Sequence, residues 1–150
     1  MLNIREVLGR VLKMEAYRHM KESDFRQGVF GQLFTPAAGL PAPTQNRGFP
    51  GGAIVYGITG GAFVPSAAIG AGRNRQGFQI ALAYSGGEAI IMDGPLLADA
   101  VLGGGDADIF PAKELVMLPN QSIACTITNV TSGLLTVNMA YHALIYRFQS

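Results

Sequence analysis

The sequence predicts a mainly β protein, a β-sandwich or jelly roll, preceded by an N-terminal α-helix and an extended arm rich in proline and glycine. Three observations predict it. From Leu115 to Tyr146 there is no Asp, Glu, Lys or Arg, yet the stretch alternates with period two: Ile123, Cys125 and Ile127 against Ser122, Ala124, Thr126 and Thr128. Leu135, Val137, Met139 and Tyr141 then alternate with Thr136, Asn138, Ala140 and His142, the pattern of strands with one buried face. Short runs of this kind, punctuated by turn residues, continue back to about residue 53, and that spacing fits two packed sheets. Ten of the 21 charged residues fall within residues 1–26, where the periodicity is helical instead.

Taken from the N-terminus, Ile4, Val7, Leu8, Val11 and Leu12 recur at three and four, and Tyr17 and Met20 extend the stripe imperfectly. Asn3 followed by Glu6 resembles a capping box. A helix is therefore expected from Ile4 to about Lys21, weakened by Gly9. Residues 1–35 form the first expected unit. Residues 36–52 form the second, because four prolines and four glycines between Thr35 and Gly52 read as an extended arm without regular structure. The third unit, residues 53–150, is the β-body. Its expected strands are Ala53–Ile58 (interrupted by Gly57), Phe78–Tyr84, Ala89–Met92, Ile109-Phe110, Leu115–Leu118, Ser122–Thr128 and Leu135–Tyr146. Leu96–Leu102 reads equally as a short helix or a strand. Ser85-Gly86-Gly87 and Thr131-Ser132-Gly133 are turn signals.

Composition narrows the function classes. Charged residues are 14% of 150, against a typical share of about 25%. So little charge scarcely clothes a monomer, which argues for association with copies of itself. A formal charge of +1 gives no bulk attraction to nucleic acid or an anionic membrane. No apolar run approaches the roughly 18 residues of a spanning helix, and the N-terminal residues show no basic-then-apolar leader and no small-residue cleavage site, so a reducing cytoplasm is the expected place of synthesis. The single cysteine, Cys125, is expected to be a buried structural thiol. Asn120-Gln121-Ser122 and Asn129-Val130-Thr131 match the glycosylation sequon by chance.

No reaction centre is expected. Gly70-Ala71-Gly72-Arg73-Asn74-Arg75 begins like a dinucleotide-binding loop, but Arg75 stands where the third glycine belongs and a strand follows. His19 and His142 lie on different elements and make no metal set. Asp99, Asp106 and Asp108 lack the spacing of a calcium loop. A Cys125–His142 dyad is opposed by the opposite directions expected of the two side chains, and Glu88 and Asp93 read as turn-flanking charges. The expected catalytic, metal and cofactor sites are therefore none.

The functional candidates are surfaces. The helix stripe Ile4, Val7, Leu8, Val11 and Leu12 can pack on its own β-body or dock on a neighbouring protein, and the proline-rich tether favours docking. Arg5, Arg10, Lys13 and Arg18 would then rim the contact and contribute specificity and association rate. Tyr141, Ile145, Tyr146 and Phe148, in a last strand apolar on both faces near its end, are candidate subunit contacts.

The stretch Leu118-Pro119-Asn120-Gln121-Ser122-Ile123-Ala124-Cys125-Thr126-Ile127-Thr128-Asn129, with the turn Thr131-Ser132-Gly133 and the final strand Leu135–Phe148, resembles small structural proteins of tailed-phage virions. In that family a Leu-Pro opening leads into an alternating strand ending Thr-Asn, then a Ser/Gly turn and a long last strand ending in aromatics. Ala140-Tyr141-His142 stands where the family often has Gly-Tyr. The resemblance implies a capsid decoration (cement) protein with a jelly-roll body, located on the virion surface and assembled in the host cytoplasm. Its partners would be coat protein and copies of itself in a homo-oligomer, with a trimer as the candidate order. A tail or neck component, or a jelly-roll coat protein, could use the same body. A small-molecule-binding sandwich related in shape to cupins or lectins is the rival from another class. Removal of residues 1–35 is expected to leave a folded body that no longer binds shells.

Overall fold

The computed structural model describes residues 2–49, 51–63, 77–84, 94–102 and 114–146. The expected turn at Ser85-Gly86-Gly87, the strands Ala89–Met92 and Ile109-Phe110, and the Gly70–Arg75 loop lie outside them, as do Glu88, Asp93, Asp106, Asp108 and Phe148. The chain is mainly β, with two antiparallel sheets and one N-terminal helix. Among the described residues the strands are β1 (Phe25–Phe34), β2 (Gln45–Gly48), β3 (Ala53–Phe63), β4 (Phe78–Tyr84), β5 (Leu96–Leu97), β6 (Leu115–Met117), β7 (Ser122–Asn129) and β8 (Thr136–Tyr146). The helices are α1 (Ile4–Val11) and the short α2 (Ala98–Leu102).

Sheet I has the order β1-β8-β3-β6 and sheet II the order β2-β7-β4-β5. The pairing is nested. β1 pairs with β8, β2 with β7, β3 with β6 and β4 with β5, all antiparallel, and successive pairs alternate between the two sheets. β3–β8 and β4–β7 contacts complete the sheets. One core cluster draws on both sheets. Phe34, Val55, Ile58, Met117, Val137, Met139 and Tyr141 come from sheet I, and Phe78, Ile80, Leu82, Ile123, Cys125 and Ile127 from sheet II.

The clearest period-two runs of the sequence, β4, β7 and β8, form where expected. Three expectations change. The helix stops at Val11, and 3-10 turns follow at Glu15–Tyr17 and Glu22–Asp24. Continuing the stripe past Val11 would call for apolar side chains near positions 14, 15 and 18. Met14, Glu15 and Arg18 stand there and are exposed, while the buried Tyr17 is off the stripe. Next, residues 25–34 are a ten-residue strand in sheet I rather than a segment outside the body. Last, the arm is not wholly irregular. Gln45–Gly48 is a strand, and Pro41 bridges Thr128. Proline is tolerated there because the flanking groups make the bonds, Ala42 N–H to Ile127 O at 2.8 Å and Asn129 N–H to Leu40 O at 3.1 Å. The β-body therefore does not begin at residue 53.

A register shift between Val55 and Gly57 marks a bulge in β3. It lets Val55 and Ile58, three apart, both face the shared core, while Tyr56 faces outward. The bulge also frees the Tyr56 carbonyl, which accepts from Leu2 N–H at 3.1 Å and ties the N-terminus to sheet I. Gly52, at φ +87°, makes the turn into β3; a Cβ there would stand 2.6 Å from the Met117 carbonyl.

Candidate interaction surfaces

The helix stripe is occupied in cis. Asn3 caps α1 with its side-chain oxygen, accepting from Arg5 N–H at 2.9 Å and Glu6 N–H at 3.4 Å. From that start Val7, Leu8 and Val11 are carried onto sheet I's outer face, where they are buried with Tyr17, Phe25, Ile54, Tyr56 and Leu144. Ile4, Leu12 and Leu2 pack at the margin of this second cluster. The expectation that the stripe docks on a neighbouring protein is corrected: its apolar surface has already left water against the chain's own strands. Arg10 is corrected with it. Its guanidinium donates from Nε and Nη2 to Glu114, the Nη2–Oε2 distance being 2.6 Å, and the Glu114 side chain is 1% exposed. Hydrogen bonding to Glu114 raises the Arg10 pKa further. Arg5, Lys13 and Arg18 are exposed around the helix. Tyr17, whose ring lies 6.3 Å from that of Phe25, anchors the segment after α1; expected as an imperfect extension of the helical stripe, it is carried instead by the 3-10 turn Glu15–Tyr17.

Tyr141 is not a subunit contact. Its place on the core-facing side of β8 makes it one of the largest fully buried side chains, and its hydroxyl donates to Gln32 Oε1 at 2.7 Å. Ile145 packs at the core margin. Tyr146 ends β8, and its side chain lies outside the described set. Cys125 is buried in the same core as expected. Burial pushes its thiol pKa up to about 12, the neighbouring Tyr141 side chain opposing by a smaller amount, and burial also raises the Tyr141 pKa. Such a thiol is not a nucleophile at neutral pH. His142 sits on the outer face of sheet I, with Nε2 3.3 Å from Thr59 Oγ1, so the sheet separates it from Cys125.

What remains outside is neutral. Of the described strand residues only Arg26 and Arg47 are charged; both alternate away from the outer sheet faces, Arg47 partly buried and Arg26 exposed near the start of β1. Arg47 lies 4.9 Å from the Phe30 ring centroid and 5.9 Å from that of Phe49, a cation–π arrangement. The outer face of sheet I beyond α1 is formed by Gln27, Val29, Gly31 and Leu33 of β1, Asn138, Ala140 and His142 of β8, and Thr59 and Gly61 of β3. Val29 is 64% and Leu33 55% exposed. The outer face of sheet II is built from Asn46, Ser122, Ala124, Thr126, Thr128, Gln79, Ala81 and Ala83. Thr44 and Thr126 hydroxyls meet at 2.6 Å across its edge.

The polar side chain that sequence reasoning passed over is Asn129. It is fully buried, and its Nδ2 donates to Pro36 O at 3.2 Å and Gly133 O at 2.7 Å. Its Oδ1 accepts from Thr131 N–H and Oγ1. Asn129 thus clamps the β7–β8 turn to the start of the arm and offers no free amide to a glycan. Among the described residues no group of three or more His, Cys, Asp or Glu side chains could hold a metal ion, and no helix is long and apolar enough to cross a membrane. An open cleft of about 410 Å³ at the end of β2 and β7 is lined by Asn46, Gly48, Phe49, Asn120, Gln121 and Ser122. It presents neutral amides, and no lining residue is a nucleophile poised beside a base.

No protein-family model, no curated protein and no solved structure matches the chain.

Proposed function

We propose that this chain is a non-enzymatic structural protein of a virion, most simply a capsid decoration protein whose jelly-roll body packs neutral surfaces against coat subunits at the shell exterior. The nested order β1-β8-β3-β6 over β2-β7-β4-β5 supports the jelly roll, an eight-stranded double Greek key. That architecture also serves lectins and cupins, so function has to be argued from the surface.

The observation that carries the reading is the absence of charge from the outer faces of both sheets among the described strands, with Val29 and Leu33 exposed on one of them. A sheet face kept in water normally carries Lys or Glu, and a neutral face is suited to cover. The contact assigned earlier to helix and arm moves to these faces, because α1 is occupied in cis. Burying one aliphatic side chain contributes about 1.5–3 kcal/mol. A single contact of this size is modest after association costs, and repetition over a shell supplies avidity.

The test starts with particles purified by density gradient from the source lysate and analysed by mass spectrometry. The chain should copurify with the shell protein. Purified chain added to particles stripped of it should raise the temperature at which packaged nucleic acid escapes. Absence from particles would end the virion reading. Copurification with tails and not heads would move the protein to the tail or neck.

A further inference from the structure

We infer that the edge of β1 facing away from β8, unpaired from Gln27 to Gly31 among the described residues, is a homodimer interface, in which β1 pairs antiparallel with β1 of a second copy about a two-fold axis at Val29. β1 ends sheet I and pairs with β8 on one side. The direction of its other backbone groups is given by Gln45, whose Nε2 donates to the Leu33 carbonyl at 2.7 Å from beyond the sheet edge. Alternation then directs the N–H and C=O groups of Gln27, Val29 and Gly31 outward as well. All three residues are exposed.

Edge strands of soluble proteins are usually shortened, charged or broken by proline. β1 has ten residues, no proline and one charge, Arg26. The occupant is argued from self-complementarity. With Val29 opposite Val29 of the second copy, Gln27 meets Gly31 and Arg26 meets Gln32, so no like charges face each other; the ladder ends there, because the outward Phe25 N–H donates to Glu22 O and the Leu33 carbonyl is held by Gln45. Two-fold pairing is closed and leaves no further edge at β1. It joins two four-stranded sheets into one of eight strands and sets the exposed Val29 and Leu33 side chains of both copies on one continuous outer face. A strand of a different protein would have to match this neutral face, and nothing in the charge pattern selects one.

The test uses the isolated full chain, so its outcome is independent of whether the virion reading survives. Sedimentation equilibrium over a concentration series should show twice the 15.8 kDa chain mass. Amide exchange at Gln27, Val29 and Gly31 should slow as concentration rises. Gly31→Pro removes one outward N–H from each copy without touching the β8 ladder, and should weaken dimerisation about tenfold or more. Val29→Glu sets like charges together at the axis and should do the same. Leu97→Glu, at an exposed site on β5 at the far edge of sheet II, should leave the dimer intact. Circular dichroism checks that each variant is folded. A monomer at all concentrations overturns the proposal. So does an oligomer in which the three amides exchange at concentration-independent rates, whatever its order.

Discussion

The outer face of sheet I has two ends, and they are built differently. At one end Phe25, Ile54, Tyr56 and Leu144 project under α1 and are buried by Val7, Leu8 and Val11. At the other, Val29, Gly31, Leu33, Asn138, Ala140 and Gly61 have no helix above them among the described residues. Both ends lack charge, but only the covered end has large apolar side chains in sufficient density to hold a helix. Neutrality at the covered end is explained by the fold. At the bare end it is not, and that difference carries the argument that the bare end meets another molecule.

The largest expected effects break the covered end. Deleting residues 1–35 removes β1 together with α1, exposing both clusters, and should yield no folded β-body by circular dichroism; the sequence reading expected the opposite because it placed β1 outside the body. Val11→Asp places an unpaired carboxylate in the second cluster and should cost about 4 kcal/mol or more in urea unfolding. Leu33→Asp at the bare end should stay within about 0.5 kcal/mol. Equal losses at the two positions would erase the distinction between the ends.

The shared core gives a pH dependence. Below pH 9.0, the ordinary value of Cys125, its thiol is neutral in folded and unfolded chains alike. From there to about 12 only the unfolded chain ionises, so stability falls as pH rises through this window. Tyr141, raised in the same direction by burial, adds to the fall. Thermal melts from pH 8 to pH 12 should show it, with a shallower slope for Cys125→Ala. A flat profile would mean the thiol is not held neutral by burial.

A smaller effect is expected where α1 meets the chain before β6. Arg10→Ala leaves the buried Glu114 carboxylate without its bidentate partner, which destabilises more than losing a surface pair does. The melting temperature should drop further than for Arg5→Ala, whose side chain is exposed. Equal drops would show that the pair contributes no more than a surface contact.

How much of this was legible follows from periodicity. β4, β7 and β8 alternate cleanly because one face is buried and the other small and polar. β1 does not. Its apolar residues fall at Phe25, Val29 and Leu33 and at Phe30 and Phe34, spacings of four that put apolar side chains on both faces and mimic no strand. That hidden pattern is itself the signature of a strand with a core on one side, a helix at one end and a bare stretch at the other. Pro41 and the glycines concealed β2 for another reason: an edge strand needs hydrogen bonds on one side only, so proline beside it costs little. Tyr141 was misplaced because period two says which residues share a face and not which face is inside. The partner of the helix stripe was not legible at all, since amphipathicity records that a face is buried and not by what.

The last comparison sets the bare end of sheet I against the outer face of sheet II, and its effect on the isolated chain should be the smallest. Ala83 is exposed on β4 and pairs with Ala124 across a floor of small side chains. Ala83→Lys adds a charge that water can solvate and alters neither sheet's hydrogen bonds, so unfolding should move by no more than about 0.5 kcal/mol. Leu33→Lys should be similarly quiet in the isolated chain. Under the proposed virion role their effects on particles should differ, because a lysine in the docked face loses its hydration. If the sheet II face seats on the shell, Ala83→Lys abolishes restoration of stripped particles and Leu33→Lys does not. If the bare end of sheet I seats there, the order reverses. If both bind as the parent chain does, neither neutral face is the docking surface.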